Sequence, residues 1–110
     1  GSIAEAVRLA RARAHHLMKV EVETRNLREV EEALAAGADI IMLDNMSAAD
    51  MKKAVALVAG RALCEASGGI GEQNLLETAE CGVDLISSGA ITHSAMPMDI
   101  SLKIVKTVKQ

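Results

Sequence analysis

The sequence predicts an α/β fold, a partial (half) TIM-type barrel of about four parallel βα units, with an open parallel sheet as the alternative. Three observations predict it. Segments with helical spacing of apolar residues alternate with short strand-like runs, the rhythm of a parallel sheet with right-handed crossovers. One turn recurs: Glu32 to Ile41 reads EALAAGADII and Glu77 to Ile86 reads ETAECGVDLI, in both cases a helix ending at Gly, then Asp after one residue. Two strands run directly into loops of small residues, Ser67-Gly68-Gly69-Ile70-Gly71 and Ser88-Gly89-Ala90-Ile91-Thr92-His93.

Each element follows from its own pattern. Ile3, Val7, Ala10 and Ala14 fall on one helical face behind Ser2, a good N-cap. Lys19 to Thr24 alternates strictly and reads as a strand. Asn26 caps a helix over Leu27 to Ala36, which Gly37 stops. Ile40 to Asn45 is a buried strand with a polar end. Ser47 caps a helix through Met51, Val55 and Val58, with Gly60 as the stop. Ala62 to Ala66 is the third strand, a helix from about Glu72 to Cys81 stops at Gly82, and Asp84 to Ser87 is the fourth strand. The tail, Ile100 to Val108, fits a strand or a short helix equally well.

The 110 residues form one domain, a partial barrel over residues 1–110. Half are apolar, but Phe, Tyr and Trp are absent, so Leu, Ile, Val, Met and Ala must fill the core. Small side chains suit helices lying close on a sheet. A net charge of −3 lacks the basic excess of a nucleic-acid binder. No apolar run approaches the roughly 18 residues of a membrane span. No secretory pattern is present. Cys64 and Cys81 have no framework spacing, so both read as free thiols of a reducing, cytoplasmic protein.

Alternation divides the strands into two faces. Val20, Val22, Ile41, Leu43, Cys64 and Ala66 form an apolar set that suits the helices. Glu21, Glu23, Asp44, Glu65 and Ser67 take the other face. A doubly wound sheet, buried on both sides, would read as continuous apolar runs. Four carboxylates on one face instead suit the interior of a barrel with a solvated site at its C-terminal strand ends. Glu23, Asp44 and Ser67 lie at those ends. Glu21 has a structural reading as strong as its functional one. The four strands contain a single Lys, Lys19, so the carboxylates call for cations, either a metal or basic residues from strands outside this chain.

The glycine loops suggest oxyanion binding. Glycine lets backbone N–H groups approach an anion closely, and a following helix adds a favourable dipole. Barrels often hold phosphate in the loops after their last two strands. Ser67, Gly68, Gly69, Gly89 and Ala90 are candidate phosphate contacts, and His93 could donate to the same anion. The competing reading is two tight turns. His15 and His16 read as solvated loop residues, since zinc sites need three or four protein ligands.

Taken together, GSIAEAV, KVEVE, EEALAAGADIIMLDNMS, EASGGI, ETAECGVDLISSGAITHS and MDISLKI resemble the quinolinate phosphoribosyltransferase family over essentially the whole chain. The resemblance implies a reaction of quinolinate with phosphoribosyl pyrophosphate that gives nicotinate mononucleotide, pyrophosphate and carbon dioxide, with Mg as cofactor, in NAD biosynthesis. It implies that Glu23 and Asp44 are catalytic, meeting the ribose hydroxyls or the Mg. Ser67, Gly68 and Gly69 would line one phosphate loop, and Gly89, Ala90 and His93 the other. It further implies homo-oligomers, and a parent with an N-terminal sandwich domain and earlier barrel strands carrying the basic quinolinate contacts. The expectation is therefore a C-terminal piece that is inactive alone. The alternatives are an independently folding half-barrel scaffold, or a piece of another phosphate-binding barrel enzyme.

Overall fold

The computed structural model describes residues 2–13, 18–87 and, for the backbone, 102–106. The order is α1 (Ile3–Arg13), β1 (Met18–Thr24), α2 (Leu27–Ala35), β2 (Ile40–Asp44), α3 (Ala48–Val58), β3 (Leu63–Ser67), α4 (Leu75–Glu80), β4 (Leu85–Ile86) and β5 (Leu102–Lys106). Ala14, His15, His16 and the segment 88–101 lie outside the described residues, as do residues 107–110.

The helices start where the caps predict. Ser2 Oγ accepts the Glu5 N–H at 3.1 Å, Asn26 Oδ1 that of Glu29 at 2.9 Å, and Ser47 Oγ that of Asp50 at 3.1 Å. Each bond satisfies an N–H with no partner inside the helix. Gly37 (φ 86°) and Gly82 (φ 92°) end α2 and α4 in the left-handed region. At the end of α3 the left-handed turn already begins at Ala59 (φ 51°), one residue before Gly60. The fourth helix is shorter than expected. It begins at Leu75, not near Glu72, because the Asn74 side chain bonds to the glycine loop and does not cap the helix.

The sheet runs β4-β3-β2-β1-β5. Its first four strands are mutually parallel and form one open sheet, as a partial barrel requires. The tail resolves as a strand, β5, antiparallel to β1, with Cα partners from Met18↔Lys106 to Val22↔Leu102. It occupies the edge of β1 that lies away from β2.

One cluster joins the sheet to the helices. Val20, Val22, Ile41, Leu43, Cys64 and Ala66 pack with Ile3, Val7, Val30, Ala33, Met51, Ala54 and Val58. Fully buried Ala33, Ala54 and Ala66 let helix and sheet backbones approach closely. Burying a Leu or Ile such as Leu43 or Ile41 contributes roughly 1.5–3 kcal/mol. Thr24 also lies inside, its hydroxyl donating to Met42 O at 2.7 Å. Both cysteines are buried free thiols. Among the described residues no helix is long and apolar enough to cross a membrane.

The repeated Gly-x-Asp turn does more than reverse the chain. Asp39 Oδ2 accepts the Val20 N–H at 2.9 Å, and the Asp39 N–H donates to Val20 O at 3.0 Å. Asp84 repeats this with Cys64, both bonds at 2.9 Å. Each Asp thus fastens the start of its own strand to the preceding one.

Candidate functional site

The register brings the acidic face together. Glu21 aligns with Ile40 and Leu63, then Glu23 with Met42, Glu65 and Leu85, and then Asp44 with Ser67. None of these residues belongs to the helix-side cluster. Glu21, Ile40 and Met42 are buried, whereas Glu23, Asp44, Glu65 and Ser67 are half-buried. Burial of Glu21 favours its structural reading. Glu65 is not bare either, since the Ser87 hydroxyl donates to its Oε2.

Glu23 and Asp44 stand on adjacent parallel strands, two residues apart in register, so their Cα atoms are about 8 Å apart. Asp44 leans over the first glycine loop. A Cβ built on Gly68 would lie 2.7 Å from Asp44 Oδ1 and 3.0 Å from Asn45 N. Gly68 (φ 84°) and Gly69 (φ 65°) both take the left-handed conformation. Only glycine combines that backbone with so close an approach. Asn45 faces the same loop. It is left-handed (φ 56°), its N–H donates to Ser67 O at 2.8 Å, and its Oδ1 lies 3.5 Å from a Cβ built on Gly69.

The structure therefore gathers Glu23, Asp44, Ser67, Gly68 and Gly69 at the C-terminal ends of three neighbouring strands. Gly89, Ala90 and His93 lie outside the described residues. Asn45, Asn74 and Ser87 join the site although sequence reading did not select them. Asn45 had a signal: Asn directly after a strand is the non-glycine residue most at ease in the left-handed region. The helix expected to add its dipole has six residues and starts beyond the loop, so it contributes no anion site of its own.

The opposite end of the sheet is a different environment. A cleft of about 220 Å3 is lined by Lys19, Asp39, Ile40, Gly60, Arg61, Ala62 and Leu63. Arg11 pairs with Asp39 there at 2.9 Å. Burial would raise the Asp39 carboxyl, but the Arg11 hydrogen bond, the Val20 N–H and the charges of Arg11 and Lys19 outweigh it and hold it below its ordinary value. Burial, with the Asp84 charge, pushes the Cys64 thiol up to about 11. Neither the Gly68–Gly69 loop nor Glu23 and Asp44 line this cleft.

Residues 1–103 match the family described as quinolinate phosphoribosyl transferase, C-terminal domain. The chain belongs to this family. Its relatives include a probable nicotinate-nucleotide pyrophosphorylase (carboxylating) of Methanocaldococcus jannaschii, 42% identical over 94% of this chain and 39% of the relative. The human nicotinate-nucleotide pyrophosphorylase (carboxylating) is 37% identical over 94% of this chain and 36% of its own. Among solved structures, a NadC deletion mutant in a cubic crystal form superimposes with a TM-score of 0.78, at 43% identity, over 99% of this chain and 38% of that one. The nicotinate-nucleotide pyrophosphorylase of Francisella tularensis gives a TM-score of 0.73 at 42% identity, over 93% of this chain and 37% of its own. This quinolinate phosphoribosyl transferase domain thus spans under two fifths of the length of the curated relatives it matches.

Proposed function

We propose that this chain is the ribose- and phosphate-binding portion of a quinolinate phosphoribosyltransferase. The whole enzyme would join quinolinate to phosphoribosyl pyrophosphate, releasing pyrophosphate and carbon dioxide and leaving nicotinate mononucleotide for NAD biosynthesis in the cytoplasm. One observation carries the reading: the Asp44 carboxylate stands against Gly68, so a charge suited to a ribose or its metal adjoins a loop suited to a phosphate.

In this reading Glu23 and Asp44 hold the ribose hydroxyls and stabilise positive charge developing on the ribose ring. The N–H groups of the Gly68–Gly69 loop hold a phosphate, with Gly89, Ala90 and His93 on a second loop. The donor set suits Mg without a protein cage. Among the described residues no group of three or more His, Cys, Asp or Glu forms a cage. Mg does not need one, since it keeps several waters and takes one or two carboxylates together with substrate phosphates. Glu23 and Asp44 fit that role, and the ion would neutralise charge on the pyrophosphate as it leaves. The basic contacts to quinolinate belong to segments outside this chain, and a homo-oligomer would complete the site.

The chain alone is accordingly inactive. Incubation with quinolinate and phosphoribosyl pyrophosphate should yield no nicotinate mononucleotide, and turnover abolished by Glu23→Gln would overturn this. Calorimetry with nicotinate mononucleotide separates a binding portion from a bare scaffold. The scaffold reading draws on Leu63 and Leu85, which are 46% and 42% exposed on the sheet face opposite the described helices. Light scattering tests whether copies associate through that face.

A further inference from the structure

Three of the four residues Gly68, Gly69, Ile70 and Gly71 are glycine, a composition that would leave the loop mobile unless something held it. Asn74 holds it from both sides. Its Oδ1 accepts the Gly71 N–H at 2.9 Å, and its Nδ2 donates to Gly69 O at 3.0 Å. The Asn74 backbone is itself fixed, because its carbonyl accepts from the Thr78 N–H at 3.0 Å and from the Thr78 hydroxyl at 2.8 Å. Thr78 is 3% exposed, so the clamp is rooted in the interior. Ile70 adds an apolar anchor, packing on the helix-side cluster.

The clamp satisfies Gly71 and leaves the N–H groups of Gly68, Gly69 and Ile70 without an acceptor among the described residues. Successive N–H groups in turn conformations form an anion-binding concavity. We propose that Asn74 is a positioning residue for the phosphate loop, setting these three N–H groups in place before an oxyanion arrives. The inference rests on the phosphate-binding reading above. Only a side chain with an acceptor and a donor on one short, planar group can bridge Gly69 O and Gly71 N–H together. Ordering the loop in advance removes a cost that binding would otherwise carry.

The test is a titration of the whole chain with inorganic phosphate and with phosphoribosyl pyrophosphate, followed through backbone amide NMR shifts. The wild type should shift at Gly68, Gly69 and Ile70. Asn74→Ala should weaken binding about tenfold and speed hydrogen exchange at Gly71, with Asn74→Ser, which keeps an acceptor, in between. Asn26→Ala, a cap variant on α2 that also loses an Asn side-chain hydrogen bond but lies away from the loop, should bind as the wild type does. Unchanged affinity in both Asn74 variants overturns the inference and leaves the phosphate site standing. Equal weakening by Asn26→Ala reduces Asn74 to general stability and also overturns it. No shift at the three amides of the wild type removes the phosphate reading and this inference together.

Discussion

Gly68 and Asp44 are in such close contact that a methyl group on the glycine would stand 2.7 Å from the carboxylate oxygen. Gly68→Ala should therefore displace Asp44 as well as strain a backbone at φ 84°. The expected loss is about 1–3 kcal/mol of stability, by analogy with other strained backbone positions. Urea denaturation of the variant checks this. Gly37→Ala is the informative control, because Gly37 shares the left-handed backbone (φ 86°) with open space around it. A smaller loss at Gly37 would isolate the contribution of the Asp44 contact.

The Arg11–Asp39 pair should give the fold part of its acid sensitivity. The folded Asp39 carboxyl is held below its ordinary value of 3.8, so its stabilisation is present above that value and is lost as pH falls through the lower folded one. Arg11 and Asp39 are 42% and 27% exposed, which limits the ion pair to under about 1 kcal/mol. Asp39→Asn should be less stable than the wild type at neutral pH and should lose less on acidification. Urea midpoints from neutral pH down to about pH 3 test this, and parallel curves for the two proteins would contradict it.

Cys64 should be unreactive in the folded chain. With its thiol pushed to about 11, only roughly one molecule in a thousand carries a thiolate at pH 8, and the sulfur is buried as well. Cys81 is buried too, its Sγ donating to Glu77 O at 3.3 Å. A thiol reagent should modify both only at the rate of unfolding, and fast labelling of Cys64 under native conditions would refute this.

Two further substitutions measure the packing and the caps. Leu43→Ala removes a fully buried side chain between helices and sheet and should cost about 2–5 kcal/mol. Asn26→Ala removes the acceptor for the Glu29 N–H and should cost about 1 kcal/mol. Thermal or urea unfolding reads both.

Much of this was legible in the sequence because it depends on local rules. Ser2, Asn26 and Ser47 name their helices through side chains of the right length. Val20, Val22, Ile41 and Leu43 declare the helix side by alternation, and Glu23 and Asp44 declare the other. What escaped required partners remote in the chain. Nothing near Ile100 to Val108 says whether it is strand or helix, because the edge of β1 that makes Leu102–Lys106 a strand lies some 80 residues earlier. Asn74 fell inside the helix expected from about Glu72, and only the fold brings Gly69 and Gly71 within reach of its side chain. Ser87 could not be tied to Glu65 before β3 and β4 were known to be neighbours.

The Asp39 and Asp84 fastenings have a consequence for how the site tolerates change. Each seizes the N–H of a helix-facing residue, Val20 or Cys64, and three residues further on stands a site residue, Glu23 or Ser67. Three is odd, so the carboxylate or hydroxyl emerges on the opposite side from the fastened residue. Inserting or deleting one residue between them would reverse that parity, driving Glu23 into the apolar core and turning a valine out. A change of two residues would preserve parity and merely move the site along the strand. The far end of the sheet thus decides by odd and even counting which side chains its chemical end can display.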